Sequence, residues 1–209
     1  MLHELGHAVA VRTTRVTHPL YKGYEWVPGL LDPAYAEGSA EIFGRLLDEP
    51  GVLREHLGLS DEEARTLIAG RRLEALVAVR RSAVASAFER AALEQERADL
   101  DALSLDLERR LSGTIVPRDA EPTWAASPFL ASYPVYTHAY SLALCVAAQV
   151  RQALKSRFAS GFLGRDAGEH LGRAFFADGA RSKLDEKMVR TTGAPLSESD
   201  AVRFLLGRS

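Results

Sequence analysis

Apolar residues recur three and four positions apart through most of the chain, the period of a helix with one buried face. Alanine is abundant and runs of β-branched residues are few, so the pattern predicts an all-α protein. The predicted helices are Leu2–Arg15, Ala34–Leu47, Asp61–Glu96, Asp101–Ser112, His138–Phe158, Glu169–Phe176, Lys183–Thr191 and Ser199–Leu206. Ser60 and Glu63 form a capping-box pair at the head of the third, which carries Gly70 as a point where it could divide, although no proline enforces a break. The Gly-, Pro- and aromatic-rich stretch Tyr21–Pro33 reads as a loop, and Thr114–Phe129, with three prolines, as a non-helical connection. Near the end, Gly179 and Gly193 suit the positive φ that closes a helix. Pro195 prevents an immediate restart, and Ser197 or Ser199 can cap the last helix ahead of Glu198 and Asp200.

Composition narrows the possibilities. The chain has 209 residues, enough for one domain with a sizeable core, and residues 1–209 read as a single domain. With 26 basic and 28 acidic residues, no nucleic-acid or other polyanionic partner is implied. The lone Cys145 sits in the apolar run SLALCVAAQV and reads as a small core residue in a reducing, cytoplasmic compartment. No signal peptide and no membrane-spanning run stand out.

Chemistry enters at the first residues, MLHELGHAVA. His3 and His7 are four apart, one turn of helix, so both imidazoles point the same way and can share one metal ion. Catalytic zinc takes neutral imidazole nitrogens and keeps a position open for water. Glu4, between the histidines, is placed to act as general base on that water. Gly6 is expected to leave room beside the metal.

A third ligand is needed, and it is expected in PAYAEGSAEIFGRLLDEPGVL, Pro33 to Leu53. Glu37 and Glu41 are again one turn apart. One of them suits a zinc ligand, while the other suits the acceptor for a ligating histidine's N–H. Ile42, Leu46 and Leu47, flanked by Phe43, form the apolar stripe expected to bury this helix.

HELGHAV resembles the zinc helix of gluzincin metallopeptidases, and the second stretch resembles the third-ligand helix of peptidase family M3, the thimet-oligopeptidase and oligoendopeptidase F group. In that family the ligand glutamate begins a helix whose end reads roughly Glu-Pro-x-Val-Leu. Glu49-Pro50-Gly51-Val52-Leu53 stands at the matching distance, which picks Glu37 as the ligand and leaves Glu41 as the supporting carboxylate. The 29 residues between His7 and Glu37 are a few more than the family pattern has, and the surplus falls in the Tyr21–Pro33 loop.

SYPVYTHAYSLALCVAAQV, Ser132 to Val150, carries Tyr133, Tyr136, His138 and Tyr140. Tyrosine hydroxyls and a histidine N–H can donate to the oxyanion that develops when an amide is attacked. The segment is similar to the tyrosine-rich segment of the same family, matching at Pro134, Tyr136 and Tyr140. It departs from it in having His138 where a tyrosine is usual, and in having no histidine near Leu130. The C-terminal stretch from Gly168 to Leu206 resembles the family's closing helices.

The resemblance implies a multi-helix zincin-like catalytic domain holding one Zn2+ on His3, His7 and Glu37. It implies hydrolysis of short peptides, with Glu4, Tyr136, His138 and Tyr140 as catalytic groups. It covers nearly all of this chain but only the C-terminal catalytic portion of the family pattern, since two residues precede the first ligand. A missing N-terminal half or a second copy of the chain is therefore an expected partner, covering apolar faces the absent wall would leave open. The alternative function is a non-catalytic metallopeptidase remnant acting as a zinc-binding or interaction module.

Overall fold

The structure, a computed structural model, describes residues 1–22, 31–94 and 99–208. Ten α-helices are present among them: α1 Leu2–Thr13, α2 Pro33–Gly44, α3 Pro50–Leu57, α4 Asp61–Glu94, α5 Leu100–Leu111, α6 Pro128–Ser132, α7 His138–Phe158, α8 Arg165–Leu171, α9 Leu184–Thr192 and α10 Ser199–Leu205. No strand occurs among the described residues, so the protein is all-α there. Of the loop expected over Tyr21–Pro33, residues 23–30 lie outside the described residues, as do residues 95 and 96 of the expected third helix.

Local chemistry explains most of these boundaries. Asp32 caps α2 by accepting the Ala34 N–H at 2.8 Å, and Pro33 takes the first helical position, where no N–H is needed. Ser60 and Glu63 form the expected capping box: the Ser60 N–H donates to the Glu63 carboxylate at 2.8 Å and the Glu63 N–H to the Ser60 hydroxyl at 3.3 Å. The helix they open runs unbroken through Gly70, since one glycine costs only about 1 kcal/mol in a helix. Ser197 accepts the Ser199 N–H at 3.2 Å, at the start of α10. Gly179 and Gly193 have φ of 52° and 89°, as the turns require.

Other boundaries differ from the sequence reading. The expected single helix Ala34–Leu47 is α2 followed by a 3-10 turn, Arg45–Asp48. Glu49-Pro50-Gly51-Val52-Leu53 starts a new helix, α3, because Pro50 cannot donate into the preceding turn. The expected helix Glu169–Phe176 is the end of α8 followed by a π turn, Gly172–Phe176. Helices α3 and α6, not predicted, both begin on a proline.

The chain divides into two compact units. The first, Met1–Leu73 with Leu142–Ser209, has a core that includes Tyr35, Val146, Val150, Phe175, Phe176 and Met188. Helix α2 runs through it, buried at every position from Ala34 to Ala40. The expected stripe of Ile42, Leu46 and Leu47 is only half-buried. Small residues let α2 be surrounded on all sides over its first two turns, where a single bulky stripe would bury one face only. Cys145 is also only half-buried.

The second unit, Glu74–Ser141, packs the later turns of α4 with α5, α6 and the beginning of α7. There the Ser82 hydroxyl donates to the Thr137 carbonyl at 2.7 Å, and the Thr137 hydroxyl donates to buried Glu89 at 2.9 Å. Trp124 lies against Phe88, ring centroids 5.6 Å apart, and its indole N–H donates to Asp101. No helix among the described residues is long and apolar enough to cross a membrane.

Candidate metal centre

Helices α1 and α2 pack directly on each other, and Gly6 sets how closely. A Cβ at Gly6 would lie 2.6 Å from the Ala40 Cα and 2.9 Å from its carbonyl oxygen. The absent side chain therefore makes room for the backbone of α2. This corrects the expectation that Gly6 clears space beside a metal: its role is one layer back, in the helix contact. Gly38, on α2, makes room for a side chain of α7, where an added Cβ would meet Val146 Cγ1 at 2.9 Å. Small-residue contacts thus hold the polar face of α1 against α2 without a bulky spacer.

That contact brings together the three residues expected as ligands. His3, His7 and Glu37 each offer one ligand atom, and these atoms lie within 4.8 Å of one another. The His3 and His7 rings are nearly perpendicular, 86°, with centroids 5.1 Å apart. Nε2 of His3 is 3.2 Å from Oε2 of Glu37. Two ligands about 2.0–2.1 Å from a tetrahedral zinc ion are about 3.4 Å apart, so this pair already has a suitable separation. Glu37 is 6 % exposed and the two histidines are half-buried, which leaves the cluster at the protein surface with its anionic side shielded.

The second glutamate takes the supporting position. Oε2 of Glu41 lies 3.3 Å from Nδ1 of His3, so it accepts that nitrogen's hydrogen while Nε2 faces Glu37. Hydrogen bonds to Glu37 and then Glu41 raise the His3 imidazole from 6.5 to about 10, against the opposing effect of burial. With no metal, His3 holds a proton between two carboxylates, and a divalent cation at the cluster would replace it. Burial pushes the Glu41 carboxyl up, but His3 and Arg45 outweigh it and hold the group below its ordinary range.

Glu41 is itself held. The Arg45 Nε–H donates to Oε1 of Glu41 at 2.5 Å, and a second Arg45 nitrogen donates to Asp48 at 3.2 Å. Arg71 donates to the other Asp48 oxygen at 2.6 Å and to the Gly44 carbonyl at 2.9 Å. A continuous chain of charged hydrogen bonds therefore runs from His3 through Glu41, Arg45 and Asp48 to Arg71. Sequence reasoning missed Arg45, although its position four residues after Glu41 on one helix face was the available signal. Glu49 is structural: 5 % exposed, it pairs with Arg151 and, at 3.1 Å, with Lys155.

Glu4 lies in the first turn of α1, exposed to solvent. Tyr133, Tyr136, His138 and Tyr140 belong to the second unit, around the start of α7. Tyr133 and Tyr140 are 58 % and 40 % exposed, whereas Tyr136 and His138 are half-buried. Phe129 stacks on Tyr136 and meets Tyr140 edge-on, both at 5.9 Å between centroids. Tyr136 and Tyr140 are 5.8 Å apart, so these side chains form one aromatic cluster. Just before it Val135 has φ of 61°, a conformation that costs a β-branched residue steric strain.

No protein-family model matches this sequence, and no curated protein matches it either.

Proposed function

We propose that His3, His7 and Glu37 hold one Zn2+ and that the protein is a zinc-dependent peptidase acting on short peptides. The observation that carries this reading is the convergence of three ligand atoms, from a His-Glu-x-x-His helix and a second helix, with Glu41 on the outer nitrogen of His3. The donor set also fits in kind: two imidazoles and one carboxylate leave a fourth tetrahedral position open. When bound, zinc acts as a Lewis acid and makes water a competent nucleophile near neutral pH.

The chain's own residues supply the rest. Glu37 neutralises half of the cation's charge. Glu41 fixes the tautomer and ring orientation of His3, and Arg45 fixes Glu41. Glu4 takes the proton of the attacking water and can return it to the leaving amine. The family resemblance implies Tyr136, His138 and Tyr140 as donors to the negative charge on the attacked carbonyl oxygen. Their part rests on the family resemblance and on the chemistry of their side chains.

The test is metal analysis of the purified chain together with hydrolysis of a pool of short peptides. One zinc per chain, peptide cleavage, and loss of both on chelation are expected. Zinc held without hydrolysis favours the non-catalytic zinc-binding module. A chain that takes up no zinc overturns the reading.

A further inference from the structure

On the far side of Arg45 lies a second polar cavity of about 110 Å3, bounded by the 3-10 turn after α2, by α7 and by α10. Its lining includes four arginines, Arg45, Arg151, Arg203 and Arg208, against two aspartates, Asp48 and Asp200. The charges are not balanced within it. Asp48 is taken up by Arg45 and Arg71, and Arg45 also holds Glu41. Arg151 is paired with Glu49. Among the described residues neither Arg203 nor Arg208 has a carboxylate within ion-pairing distance. Each guanidinium carries five N–H donors, so even the paired arginines keep several to offer.

The shape suits a small group. The volume is several times the roughly 10–15 Å3 that one water needs on this measure, enough for a compact ion of several heavy atoms. Phe204, 6 % exposed, gives the cavity a flat wall, with the Arg45 guanidinium 5.2 Å from its ring centroid. That contact and the ion pairs hold Arg45 in place before any ligand arrives, so little side-chain entropy remains to be lost there on binding.

We propose that this cavity binds a small doubly charged oxyanion, monohydrogen phosphate. The arginines meet the oxyanion with charge-assisted hydrogen bonds. Asp200 supplies the selectivity. Its carboxylate can only accept, so it favours an anion that still carries a P–OH and disfavours sulfate, which at neutral pH has no proton to give. The proposal does not depend on the metal reading, because none of the three metal candidates lines the cavity.

The test is calorimetric titration of the full chain with inorganic phosphate, phenyl phosphate and sulfate at fixed ionic strength, without added metal. Saturable one-to-one binding of phosphate, at least about tenfold weaker in Arg203→Gln and in Arg208→Gln, is expected. Both arginines are exposed, so these variants should fold, and a thermal melt checks it. Asp200→Asn should bring sulfate and phosphate to similar affinity. Phenyl phosphate, at neutral pH mostly a dianion with no P–OH, should bind about as weakly as sulfate, and binding as tight as that of phosphate overturns the role given to Asp200. No saturable binding, or equal binding of all three anions by the wild type and both arginine variants, overturns the proposal.

Discussion

Gly6 of α1 sits against Ala40 of α2 so closely that a single methyl group on Gly6 would come within 2.6 Å of the Ala40 Cα. The atom it would strike is backbone, which cannot swing aside as a side chain would. The position of His3 and His7 relative to Glu37 therefore depends on a residue with no side chain. Gly6→Ala gains about 1 kcal/mol of helix propensity. It should nevertheless destabilise the fold by about 1–3 kcal/mol through overpacking. Zinc affinity should fall with it, because separating the helices opens the cluster. Urea unfolding of the metal-free protein and a chelator competition for zinc measure the two effects. A variant as stable as the wild type, with unchanged affinity, would show that the helices have slack the structure does not suggest.

Glu37 and Glu41 meet different nitrogens of His3 although they share a helix face. In the proposed zinc site Glu37→Gln replaces an anionic ligand with a neutral amide and should remove most of the metal. Glu41→Gln keeps the ligands but weakens the support of His3, and should lower affinity by about 10–100-fold. If Glu41→Gln empties the site and Glu37→Gln does not, the roles are reversed.

Glu4→Gln tests the proposed base. The amide cannot accept a proton, so peptide hydrolysis should disappear while zinc content stays at the wild-type level. Paired measurements of metal content and turnover separate this from loss of the metal. Normal turnover in the variant would exclude Glu4 as the base.

Tyr140→Phe keeps the ring and its packing against Phe129 and Tyr136 while deleting only the hydroxyl. Loss of one oxyanion donor should lower kcat by roughly 10²–10³, with little change in KM or melting temperature. An unchanged kcat would make Tyr140 a packing residue of the aromatic cluster.

Lys187 is almost fully buried, 1 % exposed, with its ammonium donating to the Phe175 carbonyl at 3.1 Å and to Asp178, and lying 4.3 Å from the Tyr35 ring centroid. Burial pushes the Asp178 carboxyl up, but Lys187, Ser182 and Arg190 outweigh it and hold the group below its ordinary value. A depressed folded value means that this stabilisation is present above the unfolded pKa, about 3.9, and is lost as pH falls through the lower folded value. Asp178→Asn should therefore cost about 3–5 kcal/mol at neutral pH by leaving a buried ammonium without its counter-charge. The gap to the wild type should narrow below about pH 4. Urea midpoints at neutral and acid pH measure it, and a gap that does not depend on pH would remove the ion pair as its cause.

Much of the candidate centre was legible in the sequence because helices translate spacing directly into direction. His3 and His7, four residues apart, must share a face, and so must Glu37 and Glu41. The helical course of α1, α4, α7 and α9 followed from apolar periodicity, and the capping box at Ser60 from short-range hydrogen bonding. These are local properties, set by the residues within a turn or two of each one.

Tertiary packing decided what local rules cannot reach. Spacing alone left the two glutamates interchangeable. In the folded protein Glu37 faces Nε2 of His3 and Glu41 faces Nδ1, because the crossing of α1 on α2 is set by backbone contact at Gly6 and Ala40. The bulky stripe of Ile42, Leu46 and Leu47 promised burial, yet the run Ala34 to Ala40, small except for Tyr35 and Glu37, is the part enclosed. How many neighbours surround a helix is a property of the assembled core and not of its own pattern. Likewise the hydrogen bond from Arg45 to Glu41 could be read from four-residue spacing, but the continuation through Asp48 to Arg71 joins residues 23 apart in the chain. Only the fold brings such residues together.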